Sequence, residues 1–242
     1  MNKEGILYLI PTPLGEGDPR DVLPASVLEL LPGIRRFVVE EVRTARRFLS
    51  SAGLKGKIQE LEFRTLNEHT TPSETEALLE LFDGGAPVGL LSEAGLPAVA
   101  DPGSRLVALC HRHGIPVVPL VGPSSLMLAL MASGLNGQSF AFAGYIPAKT
   151  EERRAALRRL EKQSAAALQS QILIETPYRN DALLADMLGC LSPQTRLCIA
   201  ANLTCPDAFI RTQTVAQWKA APVVIGKRPC VFILLSDSKN RL

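Results

Sequence analysis

The reading of Leu90-Leu-Ser-Glu-Ala-Gly-Leu-Pro-Ala-Val-Ala-Asp-Pro-Gly103 decides the fold. Val88 to Leu91 is an apolar run of strand length. It breaks into a loop of small residues punctuated by Gly95, Pro97, Asp101-Pro102 and Gly103, and a helix is expected from about Ser104. Open α/β sheets bind their ligands in such loops, at the carboxyl ends of strands. Glycine and alanine let the backbone approach a ligand closely, and a helix start offers unpaired N–H groups. The same stretch also reads as a strand-to-helix turn with no ligand.

The flanking residues repeat the alternation. Gly5 to Ile10 is a strand, Pro11 to Pro19 a proline-rich loop, and Ala25 to Leu31 a helix stopped by Pro32-Gly33. Arg36 to Glu40 is the next strand, before a helix carrying Glu41, Arg43, Arg46 and Arg47. Ile58 to Phe63 reads as a strand, and Ser73 with Glu76 as a capping box opening a helix. Downstream come a helix to His113-Gly114, a strand from Ile115 to Val121, the loop Gly122-Pro-Ser-Ser125 and a helix ending at Ser133-Gly134. This grammar predicts a parallel sheet with helices on both faces.

From about Asn136 the spacing tightens. Strands are expected at Ser139 to Tyr145, Gln171 to Glu175, Arg196 to Ala201, Ala208 to Thr214 and Cys230 to Leu235, with a helix from Thr150 to about Ser164. The expectation is therefore an α/β protein of two domains. Residues 1–135 form a mainly parallel N-terminal domain, and 136–242 a mixed-sheet C-terminal one.

At 242 residues, 46% hydrophobic and 21% charged, the chain can bury a real core and is neither disordered nor fibrous. The net charge of +2 does not by itself announce a nucleic-acid protein. Charge is concentrated locally: Arg43 and Arg47 share a helix face, and Arg153, Arg154, Arg158, Arg159 and Lys162 place five cations over ten residues. A solvated helix surface and a phosphate-binding face both account for such patches. Five scattered cysteines without a C-x-x-C pair read as small core residues in a reducing compartment. His111 and His113, two apart, do not share a helix face, so no metal site is expected. No apolar run approaches the roughly 20 residues of a membrane span, and Ile6 to Ile10 does not read as a secretory leader, so a cytoplasmic protein is expected. Gly15-x-Gly17 is followed by Arg20 where a dinucleotide fingerprint has its third glycine, and no Walker ending is present.

The run from Ser92 to Gly103 resembles the Ser-Asp-Ala-Gly-Thr-Pro-x-x-x-Asp-Pro-Gly loop of the tetrapyrrole methylase superfamily. More narrowly, it is similar to the branch that methylates a cytidine ribose 2′-oxygen in small-subunit (16S) ribosomal RNA. Further matches follow in order. Thr12-Pro-Leu-Gly15 resembles Thr-Pro-Ile-Gly-Asn, and Glu40 to Arg47 resembles Glu-Asp-Thr-Arg-x-Thr-Arg-Arg. Asn67-Glu-His69 is similar to His-Glu-His-Asn, and Val118 to Ser124 to a Pro-Leu-Pro-Gly-Pro loop. Gly144 to Lys149 with Arg153-Arg154 resembles Gly-Phe-Leu-Pro-x-Lys…Arg, Ile174 to Arg179 resembles Tyr-Glu-Ser-x-x-Arg, and Ala201-Asn-Leu-Thr204 resembles Arg-Glu-Leu-Thr.

The resemblance implies S-adenosylmethionine held in a cleft between two α/β domains, and a homodimer. It places cofactor contacts at Pro11, Ala94, Gly95, Leu96, Val99, Ser124 and Ser125, and in the second domain at Glu175, Asn202, Leu203 and Pro229. The departures fall on the same loops: Glu93 and Leu96 replace Asp and Thr, Ala201-Asn202 replaces Arg-Glu, and Gly15 is followed by Glu-Gly-Asp-Pro-Arg. A ribose hydroxyl must lose its proton to become a useful nucleophile, so a general base is expected. The candidates are Glu93, Asp101, Glu68 and His69, with Glu41 beside them; Asp101 also stands where a carboxylate could cap the helix from Ser104. An RNA acceptor would be gripped by Arg43, Arg46, Arg47, Lys149, Arg153 and Arg154. Small-subunit ribosomal RNA is the expected partner, with neither DNA nor membrane. The alternatives are a tetrapyrrole or other small-molecule acceptor, and a cofactor-binding paralogue without turnover.

Overall fold

In a computed structural model of the protein, which describes residues 5–237, the apolar run ahead of the small-residue loop is a strand, Pro87–Leu91, buried from Val88 onward. It lies at the centre of the first of two units, residues 1–124. The elements of that unit are β1 (Ile6–Ile10), α1 (Ala25–Leu30), β2 (Arg36–Val39), α2 (Val42–Leu49), β3 (Glu62–Thr65), α3 (Pro72–Ala77), β4 (Pro87–Leu91), α4 (Ser104–Arg112) and β5 (Val117–Pro119). The strands pair in the order β3-β2-β4-β1-β5, all parallel.

Successive side chains of a strand point to opposite faces, which sorts the core. Phe37, Val39, Leu91 and Ile10 pack with Leu23, Val27, Phe48 and Leu49 of the α1–α2 layer. Val38, Leu90, Val88 and Leu7 pack with Leu78, Leu81, Leu106 and Leu109 of the α3–α4 layer. Helices therefore cover both faces. In register, Val39 pairs with Leu91 and Leu91 with Ile10, so β2, β4 and β1 end level and their loops emerge side by side.

The second unit, residues 125–242, holds α5 (Ser125–Ser133), β6 (Phe140–Gly144), α6 (Thr150–Ala167), β7 (Ser170–Ile174), α7 (Asn180–Cys190), β8 (Arg196–Ala201), β9 (Phe209–Thr214), α8 (Val215–Ala220) and β10 (Cys230–Leu235). Its sheet runs β6-β7-β10-β8-β9, with β6 parallel to β7 and the remaining pairs antiparallel. This is the mixed sheet that the closer strand spacing predicted. Residues of α6, α7 and α8 fill one face with Leu173, Leu197, Ile199, Phe232 and Leu234. The opposite face carries α5, packed on β10, β9 and β8, and the Thr212 hydroxyl donates to the Ser133 carbonyl at 2.6 Å. The helix α5, grouped with the N-terminal domain in the sequence reading, thus clusters with the second unit.

Two local expectations are corrected. The chain over Ile58–Glu60 is a 3-10 turn, and the strand starts at Glu62. Ile58 and Leu61 are three residues apart, a spacing that suits a turn better than a pleat. The capping box is formed by Thr71 and Glu74, not Ser73 and Glu76: Glu74 N–H donates to the Thr71 hydroxyl and Thr71 N–H to the Glu74 carboxylate. Pro72 then sits at the first helical position, where its missing N–H costs nothing.

Candidate active site

The loops after β1 and β4 are pinned together by reciprocal backbone bonds, Thr12 N–H to the Gly95 carbonyl (2.9 Å) and Gly95 N–H to the Thr12 carbonyl (3.1 Å). Gly95 makes the contact at φ +79°, where an L side chain is strained, and a Cβ there would also press Leu14 at 3.0 Å. Ala98 and Ala100 take φ of 65° and 66° in the same loop. On the other flank, Pro11 lies so close to the loop after β5 that a Cβ on Gly122 would fall 2.3 Å from its ring. The small residues of the motif are therefore required by close backbone approach.

Around this junction the first unit has an open cavity of about 400 Å³. Its walls are the 12–19 loop, the Thr44–Arg47–Phe48–Ser51 face of α2, and Glu93-Ala94. Three residues expected at separate tasks thus share one cavity: Glu93 as a base, Ala94 at the cofactor and Arg47 at the substrate. Arg46 instead lies over the Phe63 ring at 5.4 Å, and Arg43 is exposed on α2. The Glu41 carboxylate caps α2, accepting from the N–H groups of Arg43 (2.9 Å) and Thr44 (2.7 Å), and these bonds hold it below its ordinary pKa.

A separate void no larger than about 10 Å³ is lined by Glu40, Ser92 and Asp101. Burial raises the pKa of Asp101, the Ser92 hydroxyl bond lowers it, and the Glu93 charge adds to the rise. Glu40 is raised by burial and then by the charges of Asp101 and Glu93, against a hydrogen bond from the Glu93 N–H. Asp101 does not cap α4; the N-cap is Gly103, with no side-chain bond. Glu40 was read only as the last residue of a strand and the first of a motif. Its signal was available: a carboxylate directly after Phe37-Val38-Val39 stands at the carboxyl edge of a parallel sheet.

Glu68 and His69 are not brought to this cavity. They face each other at 3.5 Å, both side chains 85% exposed, and His69 lines a separate cavity of about 470 Å³ with Arg64 and Glu74. Of the other residues assigned to the cofactor, Leu96 is half-buried and Val99 exposed, and Ser124 and Ser125 lead into α5. In the second unit Glu175 is buried, with Oε1 accepting from Thr176 N–H (2.7 Å) and Arg179 Nη2 (2.7 Å). Its Oε2 is buried without a hydrogen-bond partner among the described residues. Asn202, at φ 48°, donates its N–H to the Pro229 carbonyl (2.9 Å) and its amide to Asp207 (2.8 Å), and Leu203 beside it is buried.

The expected basic face of α6 is reorganised. Arg153 is buried and ion-paired with Asp186 of α7, with a further bond to the Ala148 carbonyl (2.7 Å), and Arg154 Nε reaches the other Asp186 oxygen at 2.7 Å. Burial pushes the Asp186 carboxyl up, and the two guanidiniums outweigh it, leaving the group below its ordinary value. These arginines tie two helices together, whereas Lys149 is exposed beside Glu152 at 3.5 Å. Among the described residues no three His, Cys, Asp or Glu side chains are grouped to hold a metal ion. No described helix is long and apolar enough to cross a membrane.

The family model described as Tetrapyrrole (Corrin/Porphyrin) Methylases matches residues 8–218. Among curated proteins, ribosomal RNA small subunit methyltransferase I of Vibrio cholerae is 33% identical over 217 residues, which is 89% of this chain and 71% of that protein. The protein of the same name from Neisseria meningitidis serogroup B is 34% identical, over 90% of this chain and 70% of its own. Among solved structures, the methyltransferase CobJ aligns with a TM-score of 0.63 at 14% identity, covering 96% of this chain and 94% of that one. Uroporphyrin-III C-methyltransferase from Thermus thermophilus, complexed with S-adenosyl homocysteine, aligns at 0.55 and 19% identity, covering 96% and 98%. At those identities the structures establish the shared fold.

Proposed function

Because the chain belongs to the tetrapyrrole (corrin/porphyrin) methylase family, we propose that it transfers the methyl group of S-adenosylmethionine to a ribose 2′-oxygen, that of a cytidine, in small-subunit ribosomal RNA. The observation that carries the reading is the cavity that Arg47, Glu93 and Ala94 line together. The names of the curated relatives give small-subunit ribosomal RNA, and the cytidine ribose oxygen is what the sequence resemblance implies.

S-adenosylmethionine supplies an electrophilic methyl carbon on a sulfonium. Each unit has features that fit such a cofactor: in the first, Ala94 lining the cavity beside the close-packed Gly95 and Pro11, and in the second, the buried Glu175 Oε2, which has no hydrogen-bond partner among the described residues and can accept from a ligand donor. Asn202, Leu203 and Pro229 are assigned to it by the sequence resemblance. Glu93 would take the proton of the ribose hydroxyl whose oxygen accepts the methyl group. Glu93 suits that task because its carboxylate is exposed to the cavity and makes no ion pair among the described residues. Arg47, with Arg43, Arg46 and Lys149, holds RNA phosphates, and the orientation so obtained supplies much of the rate.

The second unit supplies a surface for a second copy. Phe142 pairs in register with Ile172, Ile172 with Ile233 and Ile233 with Cys198, placing Phe140 and Phe142 on the face that carries α5. Both phenylalanines and Met127 and Met131 of α5 are exposed, and we assign this face to a homodimer.

The test is methyl incorporation from labelled cofactor into small ribosomal subunits from a strain lacking the gene, with nuclease mapping. Label in one ribose 2′-oxygen is expected. Absence of label, alongside cofactor binding by calorimetry, would overturn the RNA acceptor and redirect the search to tetrapyrroles and other small molecules.

A further inference from the structure

The cavity offers an uneven set of hydrogen-bonding groups. Its hydroxyls are already engaged: Thr12 donates to the Ser92 carbonyl (3.5 Å), Thr44 to Glu41 (3.0 Å) and Ser51 to the Phe48 carbonyl (2.8 Å). What remains is one cation, Arg47, and two carboxylates, Glu16 and Glu93. None of these three makes an ion pair or side-chain hydrogen bond among the described residues, although opposite charges share the cavity. By contrast, Asp18 and Arg20 on the same loop neutralise each other at 3.0 Å. Unpaired charges of both signs on apolar walls such as Leu14 and Phe48 leave the cavity arranged for a ligand that brings both a negative charge and hydrogen-bond donors.

We infer that Glu16 selects the base of the acceptor nucleotide by accepting a hydrogen bond from its exocyclic amino group. The inference rests on the RNA reading above. Arg47 is the partner for a phosphate, and Glu93, next to Ala94, for the reacting hydroxyl. Glu16 lies on the opposite loop and can serve only a donor edge, because an ionised carboxylate accepts and does not donate. Cytosine presents the N4 amino group as a donor, whereas uracil presents O4, an acceptor, at the same position. Uracil would set a carbonyl against a carboxylate and leave both unpaired, so a pocket that accepts cytosine by shape rejects uracil by chemistry.

The experiment uses small ribosomal subunits that differ only in carrying cytidine or uridine at the nucleotide where wild-type label maps. Initial rates give kcat/KM for each. Wild type should favour cytidine about ten- to a hundred-fold, the discrimination typical of one good base contact. Glu16→Gln keeps the shape but presents an amide that can donate as well as accept, so the preference should fall to within about threefold. The ratio is internal to each variant and is insensitive to a general loss of activity. A wild-type preference that Glu16→Gln retains, or a wild type that treats both nucleotides alike, overturns the assignment to Glu16. A wild type that labels neither RNA overturns the RNA reading, and this inference with it.

Discussion

Glu93 stands two residues beyond β4, and everything expected of it depends on its neighbours. Replacing it with glutamine should lower kcat by about 10²- to 10⁴-fold while cofactor affinity by calorimetry is unchanged, since the side chain acts on the hydroxyl proton. An unchanged kcat would remove Glu93 as the base. Glu40 makes a different prediction, about stability. Its carboxyl titrates above its ordinary value in the folded chain, chiefly through burial. Below the unfolded-state value both states are protonated and the group contributes no pH dependence. As the pH climbs from there to the raised folded value, the unfolded chain releases its proton first and stability falls, then levels off. Glu40→Gln should therefore raise the melting temperature at neutral pH and leave it nearly unchanged near pH 4, since the uncharged amide oxygen still accepts the Glu93 N–H bond. A variant equally stabilised at both pH values would show that ionisation is not the cause. Glu93 was already a candidate base in the linear chain, but the Glu40 shift was not legible there, because Asp101 meets Glu40 only after β2 and β4 have paired in register.

Between elements, the Arg153–Asp186–Arg154 group links α6 to α7. Removing one partner of a buried ion pair leaves an uncompensated charge, so Asp186→Ala should destabilise the protein by about 3–5 kcal/mol, read by denaturant unfolding. A loss under about 1 kcal/mol would mean that Arg153 finds solvent instead. The acid-first, base-later order along α6 was visible in sequence, and the helix starts at Thr150 as expected and runs to Ala167, beyond the expected end near Ser164. Which arginines of that face remain free was not visible, because the answer lies in a helix some thirty residues further on. The capping box shows the same limit at shorter range. Ser73 and Glu76 have the right spacing, but Thr71 precedes a proline that favours the first helical position, and it wins the N-cap.

At the scale of the whole molecule, the exposed face of the second unit predicts self-association. Wild type should sediment as a dimer, and Phe142→Glu combined with Met131→Glu should sediment as a monomer with its far-UV spectrum unchanged. A dimer that survives both substitutions would place the interface elsewhere. The sequence by itself determined the two kinds of sheet and the loops at the carboxyl ends of β1 and β4. Those follow from apolar runs of strand length, glycines and prolines, which act within a few residues of themselves. Tertiary structure alone decided that α5 belongs with β8–β10, that Arg153 and Arg154 serve Asp186, and that Glu16, Arg47 and Glu93 share one cavity. Each of these depends on which surfaces of distant segments are brought face to face, and strand order and register set that, not local pattern.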